Sequence, residues 1–441
     1  MKRKLPERQA DLAEAMRILD HNLFADTVQV RSCLDSLDEN GLRPFNYDYY
    51  FMNLLAIFGN SRKQDEIREM AIACNKFRLW SRWECYSEPF RSGAAELCLS
   101  GQSRLQGWVP SGIASLLALR RGLVVYTSHY GAFRRIYWDL ALMGLEPWIS
   151  VDADSAAGFR QRASCAVEHL GNHENVPQIS QIERVINVED PLAAVRIAGL
   201  LKKNEVVIVF ADGNGGVDGP WGQSNKMCIQ FLGYPIAVKC GIVKVAAAVG
   251  SPILPVFTRR TAALHQAAVP LSVVGEVQCK PAIIPQPYFS DNERAGFARD
   301  CVETMFGYFQ QAVLEDPTQW ESACLFHRWR GVHKKKTKDT EETTSMAAVQ
   351  ARCPLIDGVS YRLNEDCVAR IPTDEGTMLV NVRSLRVFRV KKELEELAAA
   401  LGSAQGVGRD WCIAHRCSAE TSCNVTSFLT AFQQLGLLHK S

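Results

Sequence analysis

The pattern of hydrophobic and polar positions divides the chain into three regions. Up to about residue 115, apolar residues recur at helical spacing behind charged neighbours. From residue 123, short continuous apolar runs alternate with helical segments; the runs cover 123–129, 147–153, 205–212 and 252–260. Such runs are typical of buried strands in a parallel sheet. We therefore predict a helical N-terminal layer over residues 1–115 and an α/β core over residues 116–330, with a central, largely parallel sheet flanked by helices.

The third region follows a change of composition. Ser290 and Glu293 form a capping box, which predicts the start of the last helix of the core. Residues 331–350 contain many Lys, Thr and Glu residues and little to bury, which predicts a linker. Beyond it, residues 361–390 alternate at period two between turn residues, and an apolar stripe at helical spacing follows. We predict a small second domain over residues 351–441, with a three-stranded sheet and helices.

Composition and charge narrow the class of protein. Of 441 residues, 47% are hydrophobic and 22% are charged, and the formal net charge is +2. This balance favours a globular protein and provides no global field that would attract nucleic acid, so no nucleic-acid partner is expected. No run reaches the roughly 18 apolar residues that span a bilayer. The charged start lacks an apolar signal core, which predicts a cytoplasmic protein with reduced thiols and at most peripheral contact with the inner membrane surface.

Four residues near the C-terminus have the chemistry of zinc ligands. They are Cys412, His415, Cys417 and Cys423. Their spacing does not repeat the CxxC knuckle of structural zinc sites, so we predict no metal site. Free thiols or one disulfide are the alternatives for this stretch.

The segment TSHYGAFRR, residues 127–135, is the sharpest candidate for chemistry. His129 follows a predicted buried strand directly, and Gly131 permits a tight turn into the next helix. A residue between the carboxyl end of a strand and a helix N-terminus lies where α/β proteins build their sites. His129 is therefore a candidate catalytic residue.

Four blocks of this region are similar, in order, to the lysophospholipid and lipid A late acyltransferases. They are SHYGAF at 128–133, FADGNGG at 210–216, FLGYPIAVKCGIVKVAAAVGSPILPVFTRR at 231–260, and PTQWESACLFHRWRG at 317–331. The resemblance covers about residues 100–331. It implies an acyltransferase fold with His129 as the general base for acyl transfer from a thioester. The implied donor is acyl-CoA or an acyl-carrier protein, with no bound cofactor and no metal.

The sequence departs from that family five residues after the histidine. Where the family has an acid that orients the imidazole, this chain has Arg134. We expect Asp212 to replace the acid, because it ends a predicted strand and would face the same sheet edge as His129 if the two strands are parallel. Asp152 and Asp154, after another predicted strand, are alternatives. Asp139 is almost three helical turns from the histidine, beyond easy reach.

Substrate contacts are expected from basic residues and from a glycine-rich turn. Arg134, Arg160 or Arg162 is predicted to stabilise the developing oxyanion or to bind phosphates of the acyl donor, and backbone N–H groups near the turn can also stabilise the oxyanion. The resemblance implies a further arginine from the stretch 148–162. The predicted substrate-binding residues are Arg160, Arg162, Gly213 and Gly215.

The C-terminal domain resembles the PqqD-like family of RiPP recognition elements over about residues 352–440. The residues that carry the resemblance are YRLNEDCVARI at 361–371, GTMLVNVRSLRVFRV at 376–390 and SFLTAFQQLGLL at 427–438. It implies a winged-helix-like fold that binds a leader peptide as an added strand on the exposed edge of its sheet. The predicted peptide-binding residues are Leu385, Val387, Phe388, Val425, Phe428 and Leu429. The alternative is that these apolar residues form only the core of the small domain.

The two halves together predict a peptide-maturing acyltransferase. Its acceptor would be an amine or hydroxyl of a ribosomally made precursor peptide, held at high effective concentration by its leader. Its partners would be that peptide and, where it is the donor, an acyl-carrier protein. A second hypothesis has a lipid or glycolipid acceptor and a regulatory tail. A third has an inactive scaffold, marked by Arg134, that delivers peptide to other enzymes.

Overall fold

The structure is a computed structural model of the full chain. The residues that it describes are 27–91, 108, 112–157, 184–213, 225–260, 275–286, 290–330, 360–364, 368–373, 376–382, 387–390, 395–402, 406–408, 425, 428–429, 432–433 and 438–440. Several predicted features lie outside these residues: the linker at 331–350, Arg160, Arg162, Gly215, Leu385 and the Cys412–Cys423 stretch.

The chain forms two compact units, one of Met1–Phe45 with Ile72–Gly331 and one of Asn46–Ala71 with Val332–Ser441. The helices before the sheet are α1 (Thr27–Ser36), α2 (Glu39–Leu42), α3 (Tyr47–Phe58), α4 (Gln64–Arg91) and α5 (Ile113–Ala118), with a 3₁₀ turn at Arg43–Phe45. The helical character predicted for this region is present in its described residues.

The remaining elements of the first unit are strands interspersed with helices. They are β1 (Leu123–Thr127), α6 (Arg135–Leu142), β2 (Trp148–Val151), β3 (Val185–Asn187), α7 (Ala193–Lys202), β4 (Val206–Phe210), β5 (Lys226–Phe231), β6 (Tyr234–Lys239), α8 (Gly241–Val249), β7 (Ile253–Arg260), β8 (Gly275–Cys279), α9 (Asp291–Glu315), 3₁₀ turns at Pro317–Gln319 and Glu321–Leu325, and α10 (Phe326–Trp329). The four predicted core strands correspond to β1, β2, β4 and β7.

A six-stranded sheet in the order β3-β2-β4-β1-β7-β8 forms the centre of the first unit. Strand β1 runs parallel to β4 and β7, β2 runs parallel to β3 and β4, and β8 is antiparallel to β7. Every residue of β1 is buried, because helices cover both faces of a parallel sheet. The prediction of a mixed α/β core with a largely parallel sheet flanked by helices is confirmed. Strands β5 and β6 form a separate antiparallel hairpin.

Local signals explain how the sheet is covered. Helix α9 begins at the predicted capping box, in which Ser290 and Glu293 satisfy each other's backbone N–H groups. Its inner face is buried, at Cys301, Met305, Phe309 and Val313. On the side of α6, a cluster that includes Val125, Phe133, Ile136, Leu140 and Ile208 fills the space above β1 and β4.

Among the described residues, no helix is long and apolar enough to cross a membrane.

The second unit contains two small sheets. Its elements are β9 (Ser360–Leu363), β10 (Val368–Thr373), β11 (Gly376–Asn381), β12 (Val387–Val390), α11 (Glu395–Leu401), β13 (Val407–Gly408) and β14 (Leu438–Lys440). Strands β10, β11 and β12 form an antiparallel meander in that order, whereas β9 pairs with β13 and β14. The sequence predicted that β9 belongs to the meander, which is wrong. The strands that pair with β9 are β13 and β14, which are two and three residues long and too short to show a period.

Helix α3 packs against β10 of the second unit. The sequence-based division assigned this helix to the N-terminal layer of the first domain, but residues 46–71 group with the C-terminal residues. Helical periodicity shows that a face is apolar and does not show which core the face joins. Eight of the twelve residues of α3 are buried, which identifies it as a central helix of its unit.

Candidate active site

A tight turn after β1 places His129 at the carboxyl edge of the sheet. Gly131 in this turn has a φ of +61°, and a Cβ atom there would lie 1.9 Å from the carbonyl oxygen of Thr258 on β7. Glycine is therefore required both for the left-handed conformation and for the close approach to the neighbouring strand. The Thr258 hydroxyl also donates to the carbonyl oxygen of Tyr130 at 3.0 Å. Strand β7 thus fixes the backbone on which His129 is presented.

The parallel register of β1 and β4 brings His129 and Asp212 together. Thr127, at the end of β1, is the partner of Phe210 at the end of β4, so the residues two positions further on also lie side by side. Nδ1 of His129 lies 2.9 Å from Oδ1 of Asp212. The backbone N–H of His129 donates to both carboxylate oxygens, at 3.1 and 3.0 Å. The structure therefore places the acid that was expected to replace the one missing at position 134 against the imidazole.

The electrostatics of this pair suit a general base. The Asp212 side chain is fully buried, and burial disfavours its charge, but donors from His129 and Ser322 outweigh this and lower the pKa of its carboxyl. Burial likewise disfavours the imidazolium, yet the Asp212 carboxylate outweighs it and raises the pKa of His129. With the Nδ1 proton directed at a carboxylate, the lone pair of a neutral imidazole is on Nε2.

Two phenylalanines hold the imidazole ring in place. The ring stacks on Phe210, with centroids 4.4 Å apart and planes at 22°, and meets the edge of Phe133 at 4.9 Å. The His129 side chain remains 31% exposed, and its Nε2 has no hydrogen-bond partner among the described residues. A fixed, partly exposed ring whose Nε2 has no partner among the described residues can accept a proton from a substrate.

Arg134 is paired with Glu321, a residue that the sequence analysis missed. Its two Nη atoms donate to the two carboxylate oxygens of Glu321, each at 2.5 Å, and the side chains are only 17% and 10% exposed. Arg134 also donates to the Ser81 hydroxyl at 3.2 Å, and its guanidinium lies 4.3 Å from the Phe133 ring centroid. Burial disfavours the Glu321 carboxylate, but Arg134 outweighs it and lowers its pKa. A guanidinium engaged in this way is a weaker ligand for an oxyanion or phosphate than a free guanidinium.

The segment Pro317–Ser322 closes over the histidine turn. The Gly131 N–H donates to the Gln319 carbonyl oxygen, and the Glu321 N–H donates to the His129 carbonyl oxygen, both at 3.0 Å. The Gln319 side chain accepts a hydrogen bond from the backbone N–H of Arg260, at the end of β7, and donates one to its carbonyl oxygen. This segment lies in the PTQWES block, so the resemblance identified the segment but not the contacts that its residues make.

The rest of that block lies in an aromatic cluster. Trp320 and Trp329 are fully buried, and both are within 6.2 Å of the Phe231 ring centroid. Burial, aided by Arg328, lowers the pKa of His327 to about 4, so this histidine is neutral near pH 7. These positions anchor the closing segment to the core.

The other candidate acids contact groups other than the imidazole or are exposed, as Asp154 is. Asp139 is fully buried, accepts from Arg135 at 2.9 Å and from the Trp108 indole at 3.0 Å, and supports α6. Asp152 is exposed and accepts from the backbone N–H of Ser155 at 2.7 Å. Of the predicted substrate-binding residues, Gly213 alone lies among those described, in a turn in which its N–H donates to the Phe210 carbonyl oxygen at 3.2 Å.

The predicted peptide-binding residues of the second unit fall on two elements. Val387 and Phe388 lie on β12, which pairs with β11 and forms one edge of the meander in the described part of the chain. Val425 and Leu429 are buried, which fits the alternative that they belong to the core. Phe428 is half-buried and stacks on Phe432, with centroids 4.0 Å apart.

No protein family model matches the chain, and no curated protein matches it either. Within the described ranges, no group of three or more His, Cys, Asp or Glu side chains is arranged to hold a metal ion.

Proposed function

We propose that the protein is an acyltransferase that moves an acyl chain from a thioester to an amine or hydroxyl of a ribosomally made peptide. The observation that carries the catalytic part is the pair formed by His129 and the buried Asp212, with Nδ1 and Oδ1 2.9 Å apart. General-base catalysis requires a histidine whose Nδ1–H is held by a carboxylate and whose ring can be reached by substrate, and the His129 side chain is 31% exposed. The resemblance to lipid A late acyltransferases supplies the reaction class.

The proposed reaction needs one base and no covalent enzyme intermediate. Nε2 of His129 accepts the proton of the acceptor amine or hydroxyl as that atom attacks the thioester carbonyl carbon. The C–S bond then breaks, and the imidazolium returns the proton to the departing thiolate, so the products are the acylated acceptor and the free thiol. Asp212 stabilises the imidazolium while it exists, which is the source of rate enhancement that this pair provides.

The peptide part of the proposal is supported by the second unit. Its meander ends in β12, whose outer edge has no strand partner among the described residues. An extended peptide can add to such an edge through main-chain hydrogen bonds, with alternate side chains providing specificity. A leader bound there would raise the local concentration of the core peptide near His129.

The inactive-scaffold hypothesis loses its main argument. It rested on the absence of an acid at position 134, and Asp212 occupies the place beside Nδ1 that such an acid would take. The lipid-acceptor hypothesis differs only in the acceptor and is separated from the peptide hypothesis by the first experiment below.

The catalytic proposal is tested by mass spectrometry of a candidate precursor peptide incubated with the protein and a long-chain acyl-CoA or acyl-carrier protein. We expect the mass increment of one acyl chain, lost in His129→Ala and retained in Asp152→Asn, whose acid also follows a parallel strand but is exposed and accepts from the Ser155 N–H. Transfer to added lysophospholipid or lipid A precursor and not to peptide would support the lipid hypothesis. No transfer to any acceptor would refute the acyltransferase.

Leader binding is tested on the full chain, because residues 46–71 belong to the same unit as the C-terminal residues. We expect a leader with N-methyl groups at every second residue to lose binding in one register and to keep it in the other, since only alternate N–H groups pair with an edge strand. Equal binding of both N-methylated peptides and the unmodified leader would contradict strand addition.

A further inference from the structure

A hydroxyl from the closing segment reaches the catalytic acid. Ser322 is buried, and its Oγ lies 2.5 Å from Oδ2 of Asp212 and 2.8 Å from Nε1 of Trp320. An indole N–H can only donate, so Oγ is the acceptor of that bond. The single hydroxyl proton of Ser322 is therefore directed to Asp212.

The bonds to Asp212 divide between its two oxygens. Oδ1 faces Nδ1 of His129, Oδ2 faces the Ser322 hydroxyl, and the His129 backbone N–H spans both. The hydroxyl holds the end of the carboxylate opposite the imidazole, and so opposes rotation of the carboxylate away from Nδ1. A charge-assisted hydrogen bond of this kind is about twice as strong as a neutral one.

The hydroxyl itself is well anchored. Trp320 is fully buried in the aromatic cluster around Phe231. The next residue, Glu321, donates its backbone N–H to the His129 carbonyl oxygen, and its carboxylate pairs with Arg134. Ser322 lies in the second 3₁₀ turn, directly after Glu321, so the contacts of both neighbouring residues fix its position. A rigid support of this kind is what an orienting group needs.

We propose that Ser322 is a positioning residue of the general base, acting through Asp212, a role that rests on the proposed function. With the hydroxyl removed, the buried carboxylate loses one of its donors. The carboxylate can then rotate away from Nδ1, so its stabilisation of the adjacent imidazolium weakens. The charged groups acting on the imidazole are Asp212, Glu321 and Arg134, and only the first changes its bonding when Ser322 is replaced.

The test is Ser322→Ala, compared with Ser251→Ala. Ser251, like Ser322, is a buried serine with a hydroxyl that donates a hydrogen bond, in this case to the backbone carbonyl oxygen of Arg121. Ser251 precedes β7 and so lies at the opposite edge of the sheet from His129. We expect kcat for acyl transfer to fall by about tenfold to hundredfold in Ser322→Ala, the range for a hydrogen bond to a charged group, with KM little changed. Ser251→Ala keeps the activity of the parent protein.

Two readouts separate positioning from a general loss of structure. NMR titration of labelled histidine, with the His129 signal assigned by its loss in His129→Ala, should show a lower pKa of His129 in Ser322→Ala and no change in Ser251→Ala. In an Asp212→Asn background, Ser322→Ala should cause little further loss of kcat, because its effect passes through Asp212. If Ser322→Ala folds poorly, the same measurements are made on Ser322→Cys, whose side chain has a similar volume.

The outcomes distinguish this role from the proposed function. An unchanged titration of His129 in Ser322→Ala, or an equal loss of kcat with and without Asp212, would overturn the positioning role. Failure to detect acyl transfer with any acceptor would overturn the proposed function, and the titration of His129 would still decide whether Ser322 acts on the pair.

Discussion

The replacement Asp212→Asn tests the candidate site most directly. An asparagine has nearly the same shape, so packing around the fully buried side chain is kept while the negative charge is lost. Three donors converge on Asp212: the ring Nδ1–H of His129, the backbone N–H of His129 and the Ser322 hydroxyl. The amide offers only one oxygen to them, and its NH₂ group must face one of these sites. If it faces Nδ1, the ring takes the tautomer with a proton on Nε2 and can no longer act as a base.

The expected loss is large whichever way the amide turns. In serine proteases, the same replacement of the orienting acid lowers kcat about 10⁴-fold. The His129 side chain is 31% exposed, so water can replace part of the lost stabilisation of the imidazolium. We therefore expect a loss of about 10³- to 10⁴-fold in kcat, which is roughly 4 to 5.5 kcal/mol of barrier.

The pKa of His129 should change in the same variant. Burial disfavours the imidazolium, and Asp212 is the main group that opposes this effect. Without the carboxylate, the pKa of His129 should fall below its value in the parent protein. Acyl transfer and NMR titration of His129 measure the two effects, with Asp152→Asn as the control. A loss of kcat below tenfold, or an unchanged pKa, would show that Asp212 does not orient the base.

Three further predictions concern the surroundings of the base. Arg134→Met should lower the free energy of unfolding of the first unit by about 3 kcal/mol in urea, because it leaves the Glu321 carboxylate buried and unpaired. The double variant Arg134→Met with Glu321→Gln should recover most of that loss. Equal stability of the single and double variants would contradict a structural ion pair. Gly131→Ala should cost more than about 4 kcal/mol or prevent folding, since its Cβ would meet a backbone oxygen at 1.9 Å, whereas Gly144→Ala, also at positive φ but with nothing within 4 Å, should cost only about 1–2 kcal/mol. The rate of acyl transfer at low substrate should fall as pH decreases through the pKa of His129, which lies above the usual 6.5, because only the neutral imidazole accepts a proton; a rate that is flat between pH 6 and 8 would contradict the general base.

The part of the site that sequence could predict follows from local pattern and parallel register. Buried strands before His129 and Asp212 were visible as apolar runs, and the carboxyl ends of parallel strands meet at one edge. The pairing of two residues 83 positions apart was therefore within reach.

The contacts of the closing segment were not predictable in the same way. Glu321 and Ser322 lie 187 and 110 residues from their partners Arg134 and Asp212, in short 3₁₀ turns that have no period to read. Helix α3 illustrates the same limit, because an amphipathic pattern does not specify which core will receive it.

The carboxylate beside His129 comes from another strand of the sheet. Asp212 follows β4, so the geometry of the pair depends on the β1–β4 register and on the closing segment. An acid at position 134 would add another carboxylate beside Glu321 and Asp212 with no cation to offset it, and would raise the pKa of His129 further. Arg134 instead neutralises Glu321 and ties the closing segment to the histidine turn. We therefore expect Arg134→Asp to impair the site, because Glu321 would then face a like charge and the closing segment would lose its ion pair with the histidine turn.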